Sequence, residues 1–293
     1  MNGWTLRITA AAVFVLIILA GFLSDTLDAM SWPCEDAVLI RNFGSNNRGI
    51  PTLGMVFAGN TEVLAAEKGE VIFSRRKDDT ASRLPSPLGA WTAIDHGDGL
   101  ISIYCRYADE DRKFIRPGIE KSQQIASTGV SGWSAQNGFY FIVYDRLQRR
   151  WINPAMIVTP LRESGPPQIL SVELRNAQGL PVQSWNLGQG RYTVLVNAIG
   201  ASAVRGSLVA PQRIVCSVNG AEAGSLDFEA VSARDGVLLV YRNGLVPAKQ
   251  IYANFPAFEA ADVVLNRGQV NLEVIVQDVA GNSRSVVNRL VVN

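Results

Sequence analysis

Residues 134–145 read SAQNGFYFIVYD, and Phe139 to Tyr144 form an unbroken row of two phenylalanines, two tyrosines, an isoleucine and a valine. Aromatic and β-branched residues at this density fit a pleated surface, and the turn signals Asn137-Gly138 before and a charged stretch after bound the strand at Gly138 to Tyr144. Side chains alternate across a strand, so Gly138, Tyr140 and Ile142 share one face.

Outward from this stretch, glycine and proline punctuate the chain about every ten residues, and no long segment carries the 3.6-residue period of an amphipathic helix. The fold class is all-β. Before it, strands are expected at Val63–Ala66, Gly69–Arg75, Trp91–Asp95, Leu100–Tyr107 and Gln124–Ser127. The polar excursion RRKDDTASRLPSPLGA, from Arg75 on, reads as a surface loop. After it, RESGPPQIL supplies a linker at 161–167, because Pro166 and Pro167 cannot continue a sheet ladder. A second domain over 168–293 follows, with strands at Ile169–Leu174, Arg191–Ala198, Gln212–Val218, Val237–Tyr241, Glu259–Leu265, Val270–Asp278 and Arg284–Val292. About seven short strands at this spacing make an antiparallel sandwich. The final hairpin, turning at Ala280-Gly281-Asn282, is similar to those closing bacterial immunoglobulin-like or fibronectin-like modules.

With 293 residues, 47% of them hydrophobic and 18% charged, the chain can bury two cores. Lysine plus arginine number 27 against 26 aspartate plus glutamate, so no basic surplus draws it to nucleic acid. The basic clusters Arg75–Lys77 and Arg146–Arg150 are short and read as solvated loops. Arg7 precedes the uncharged run ITAAAVFVLIILAGFL, residues 8–23, and Ala29 and Ser31 form a small-x-small pair. Residues 1–31 are therefore expected to be a signal peptide or a retained membrane anchor, directing the chain to the periplasm or cell envelope. In such a compartment three cysteines allow at most one internal disulfide; Cys34 with Cys105 is one arrangement and three thiols the other.

Four pieces carry a resemblance: LGMVFAGNTEVLAAEKGEVIFS from Leu53, AIDHGDGLISIYCRY from Ala93, GIEKSQQIASTGVSG from Gly118 and NGFYFIVYDRLQRRWINP from Asn137. In order and spacing they resemble the lysostaphin-type (LytM) metallopeptidases, zinc enzymes that cut cross-links in bacterial cell wall. The resemblance implies a LytM-like antiparallel β-barrel or sandwich over 32–160. It also implies where the chemistry would sit. The family's three zinc ligands fall on Thr52, Val56 and Tyr140, and its two auxiliary histidines on Arg106 and Gly138. None of these five side chains is an imidazole, carboxylate or thiolate, and a catalytic zinc needs about three such donors plus an open position.

His96 is the only histidine of the chain, and it falls in the hairpin turn His96-Gly97-Asp98-Gly99. A site rebuilt from Cys34, Cys105 and a carboxylate would have cationic Arg106 beside its metal. Without a second histidine, Ser/His/Asp and Cys/His sites lack a base, and no glycine-rich phosphate loop is present. The expectation is therefore a pseudoenzyme with no catalytic residues and no cofactor.

Strand alternation groups Ser102, Tyr104 and Arg106 on one face. A binding site of Arg106, Tyr104 and Tyr140, flanked by Trp133 and Asn137, follows from the resemblance. There the guanidinium either pairs with a carboxylate of a wall peptide or partner, or stacks on Tyr140 and fills a hole. Three roles compete: a non-catalytic binder of peptidoglycan or of an envelope protein such as a cell-wall amidase, a structural or adhesive scaffold, and a zinc endopeptidase by family membership.

Overall fold

The computed structural model describes residues 29–75, 85–108, 117–159, 165–184, 186–200, 209–254 and 256–293. The apolar run at 8–23, residues 76–84 of the expected surface loop and residues 161–164 of the expected linker lie outside them. Among the described residues no helix is long and apolar enough to cross a membrane.

The chain is built of strands: β1 Val38–Arg41, β2 Met55–Ala58, β3 Glu62–Leu64, β4 Gly69–Arg75, β5 Ala90–Asp95, β6 Leu100–Tyr107, β7 Gln124–Ser127, β8 Gly138–Asp145 and β9 Arg150–Ile152 in the first half. The second half adds β10 Gln168–Asn176, β11 Gly190–Ile199, β12 Arg213–Val218, β13 Ala221–Arg234, β14 Val237–Arg242, β15 Leu245–Pro247, β16 Phe258–Leu265, β17 Gly268–Gln277 and β18 Ser283–Val292. A single turn of α-helix, Ala248–Ile251, interrupts them.

Strand β8 is central to the first half, buried at seven of its eight positions, as its unbroken apolar row requires. It pairs antiparallel with β6 on one side and with β2 and β9 on the other. His96 closes the β5–β6 turn, its Nδ1 2.7 Å from the Lys68 carbonyl and its Nε2 2.9 Å from Ser102 Oγ. Cys34, Cys105 and Cys216 are all buried and no disulfide joins them.

The second half is a sandwich. Strands β10, β11 and β16 form one layer. They pack Leu174, Val194, Val196 and Val263 against Ile214, Leu226, Leu272 and Val274 of the other layer. That other layer is continuous with the first half: β4, β5, β6, β8, β9, β13, β12, β17 and β18 are neighbours in this order in one sheet. The join is antiparallel pairing of Arg150, Trp151 and Ile152 with Ser232, Val231 and Ala230. Asn153, only 2% exposed, extends it by donating its backbone N–H to the Glu229 carbonyl (2.8 Å) and its side-chain amide to the Phe228 carbonyl (3.1 Å).

A second tie comes from residues 42–45. Asn42 exchanges hydrogen bonds with the backbone of Ala210, donating to its carbonyl at 2.7 Å and accepting from its N–H at 2.9 Å. Tyr252 donates its hydroxyl to the Gly44 carbonyl at 2.5 Å, and Phe43 is fully buried in the sandwich core. Residues 31–293 accordingly form one compact unit. A segment inside the stretch expected to be LytM-like, 32–160, is thus a core element of the other half.

Where β13 changes neighbour from β12 to β9, its pairing with β14 lapses between Asp227 and Val231. Asp227 is caught at this lapse. Burial, with Glu229 adding to it, pushes its carboxyl up to about 6 from the ordinary 3.8, against lowering by the Glu229 backbone N–H and Arg213. The folded chain then holds a proton more tightly than the unfolded one, so stability falls as pH rises through this window and the full cost is present above it. Asp227→Asn is expected to raise the unfolding free energy at pH 8 by about 1 kcal/mol after allowance for solvent screening. The gain should vanish near pH 4 in urea titrations run at both pH values.

Candidate functional site

The five positions that the resemblance assigns to zinc chemistry do converge. Val56 and Cys105 are the cross-strand partners of Tyr140 on its two sides. Gly138 lies two residues along the same strand. The Tyr140 hydroxyl accepts the backbone N–H of Leu53 at 2.9 Å, which brings the adjoining Thr52 to the same place. Arg106 sets its guanidinium carbon 5.0 Å from the centre of the Tyr140 ring.

Arg106 reaches this face through a β-bulge. Opposite it, Trp91 pairs with Cys105 and Ala90 with Tyr107, so Arg106 is the extra residue, with φ +67°. A bulge residue in the left-handed region breaks the two-residue alternation. The expected grouping of Arg106 with Ser102 and Tyr104 therefore fails: Arg106 joins Cys105, Ile103, Tyr140 and Ile142, whereas Tyr104 faces the other side against Phe141, ring centres 5.2 Å apart. Tyr104 is fully buried, its hydroxyl accepts the Ala66 N–H at 2.7 Å, and burial pushes that hydroxyl up to about 12. It belongs to the core and cannot meet a ligand.

The residues at this face do not fit a zinc ion. Thr52 is 5% exposed and its Oγ1 makes no hydrogen bond. Val56 has no donor atom. Tyr140 is 8% exposed, burial and the neighbouring Cys105 push its phenol up, and its oxygen is engaged by Leu53. The Cys105 thiol donates to the Tyr140 carbonyl at 3.3 Å and is pushed up to about 12 by burial, which keeps it protonated. A guanidinium over the ring adds a fixed positive charge where a cation would sit. Among the described residues no group of three His, Cys, Asp or Glu side chains could hold a metal ion.

What the face does present is Arg106 and an apolar surround of Leu88, Trp91 and Trp151. The Arg106 backbone N–H bonds to the Leu88 carbonyl at 2.9 Å, but its Nε is buried without a hydrogen-bond partner. Trp91 stacks on half-exposed Phe73 at 4.3 Å. The flanking loop diverges from the sequence-based grouping at one of its two residues. Trp133 is 77% exposed and open to a partner. Asn137 is spent on structure: its side-chain amide donates to the Gly59 carbonyl at 2.9 Å and to Asn60 Oδ1, holding this loop to the turn after β2.

The model of peptidase family M23 matches residues 51–154, and a second family model matches residues 166–293. No curated protein matches the chain. Among solved structures, the catalytic domain of the prophage-encoded M23 protein EnpA from Enterococcus faecalis is 20% identical over 41% of this chain and 90% of that one, with a TM-score of 0.34. The SpoIIQ–SpoIIIAH pore-forming complex gives 17% identity over 45% and 92%, with a TM-score of 0.36. The antimicrobial peptidase lysostaphin from Staphylococcus simulans gives 15% over 72% and 85%, with a TM-score of 0.35. The residues matched by the family model run from Pro51, beside the Thr52 position, through β8 to Pro154, so the likeness to peptidase family M23 spans residues 51–154 of this chain.

Proposed function

We propose that this protein is a non-catalytic member of the cell envelope, whose M23 domain serves as a docking face for peptidoglycan or an envelope protein rather than as a hydrolase. The observation that carries the reading is Arg106. A guanidinium stands where the resemblance places the zinc chemistry, stacked on Tyr140 and with Nε unpartnered, on a residue held at positive φ. Backbone strain of this kind costs on the order of 1–3 kcal/mol and persists where the surroundings over-determine it. A carboxylate on a wall peptide or on a partner is the group that such a fork recognises, and Trp133 supplies an exposed aromatic rim.

The test is retention of the purified protein on isolated sacculi. Arg106→Ala should weaken retention by about tenfold, the scale of one charge-assisted hydrogen bond, and Trp133→Ala should weaken it less. Equal retention of Arg106→Ala and the parent would remove the role of that residue. Failure of the parent protein to bind sacculi directs the search to envelope proteins, cell-wall amidases first. Stoichiometric zinc together with cross-link cleavage would replace the whole reading by an endopeptidase. Scaffolding is the second reading, favoured by Tyr140, which fills the floor of the face and is tied to Leu53.

A further inference from the structure

The lapse in pairing along β13 leaves a cavity of about 390 Å³ where β9, β13 and the β14–β15 hairpin meet. Cavities of this size are in the range that takes a small molecule. One wall carries Gln148 and Arg150 from the turn and strand after β8. Another carries Asp227 and Glu229, and a third Tyr241 and Leu245. The last two are 49% and 56% exposed, so the apolar side of the cavity lacks a cover within the chain.

Charges of both signs are incompletely matched here. Asp227 has Arg213 as its ion-pair partner, at a long 3.8 Å. The Arg150 Nε is buried without a hydrogen bond and lies 3.6 Å from Asp145, beyond hydrogen-bond distance. A dication would leave the Arg150 Nε without a hydrogen bond, and an anion would add nothing to the long pairing of Asp227. A ligand carrying one ammonium and one carboxylate satisfies both walls at once, and an apolar side chain on that ligand covers Leu245 and the Tyr241 ring, whose face also attracts an ammonium. We propose that this cleft binds a free α-amino acid with an apolar side chain, its ammonium between Asp227 and Glu229 and its carboxylate on Arg150. The site lies on the junction of the two halves, apart from the Arg106 face, and stands whether or not that face docks a partner.

Titration calorimetry on the full chain tests it, with L-leucine, N-acetyl-L-leucine and L-leucinamide as probes. L-Leucine should bind, and the two capped compounds, each lacking one charge, should bind at least tenfold more weakly. Arg150→Gln should lower L-leucine affinity at least tenfold while the cooperative unfolding transition is kept. No heat from L-leucine at millimolar concentration, or equal affinity for the capped compounds, overturns the proposal. Because the capped probes are tested on the unaltered protein, a variant that fails to fold does not shield it.

Discussion

Phe43→Ala will lower the unfolding free energy by about 3–5 kcal/mol, the range for truncating a fully buried phenylalanine. The ring is fully buried among the residues of the sandwich core, which include Phe228, Tyr252 and Phe258. Its neighbours are pinned: Gly44, at φ +80°, presses against the Phe228 ring so closely that an added Cβ would lie 2.7 Å from it. The surroundings therefore have little freedom to collapse into the vacated space, and the cost should fall in the upper part of the range. Urea unfolding followed by tryptophan fluorescence measures it, with Trp133→Ala, 77% exposed, as a control expected within about 0.5 kcal/mol of the parent. The transition should stay single, because β9 and β13 share one sheet and the segment around Phe43 belongs to the sandwich core. A loss below about 1 kcal/mol would mean that residues 42–45 are a surface strap instead of a core element.

The strands that could be read from sequence are those whose pattern is local. Gly138–Asp145 declares itself by an apolar row, and the hairpin around His96 by its glycines. Strand β13, at 14 residues the longest among the described residues, is not among the strands expected from sequence. Its sequence AEAGSLDFEAVSAR places Asp227 and Glu229 amid the apolar positions, and alternation slips because the strand changes partner there. Strands β1, β2 and β9 are short, and their identity depends on a neighbour distant in sequence. Nothing in the tetrapeptide Asn42-Phe43-Gly44-Ser45 points to its burial in the sandwich core beside Ala210 and Tyr252.

The same distinction governs the site. Which donors are missing follows from residue identity alone, so the misfit to zinc is legible without coordinates. Which side chains meet does not follow, because one extra residue at Arg106 moves it to the face of Tyr140 and leaves Tyr104 behind. Alternation is a rule for regular ladders, and a bulge is invisible when the residue in it is not glycine.

Gly138→Ala is the second large effect, a loss of about 3 kcal/mol or more, since the clash is with backbone. A Cβ at this position would lie 1.9 Å from the Phe57 carbonyl oxygen, 3.0 Å from its carbon and 3.1 Å from the Ala58 Cα. The strand cannot slide away, because Gly138 exchanges two hydrogen bonds of 3.0 Å with Gly129 on its other flank. Nor can β2 yield cheaply: Phe57 is 2% exposed and stacks on Phe139 at 4.8 Å. The position is one at which the M23 resemblance places an auxiliary histidine, so the departure from that chemistry extends beyond side-chain identity to the approach of two backbones. Gly138→His should therefore destabilise at least as much as Gly138→Ala, measured by urea unfolding. Adding Thr52→His, Val56→Asp and Tyr140→His to it should give a chain that loses cooperative folding before it gains a zinc site. Native stability for Gly138→Ala would show that β2 moves aside readily, and the cleft could then be refitted with histidines by substitution alone.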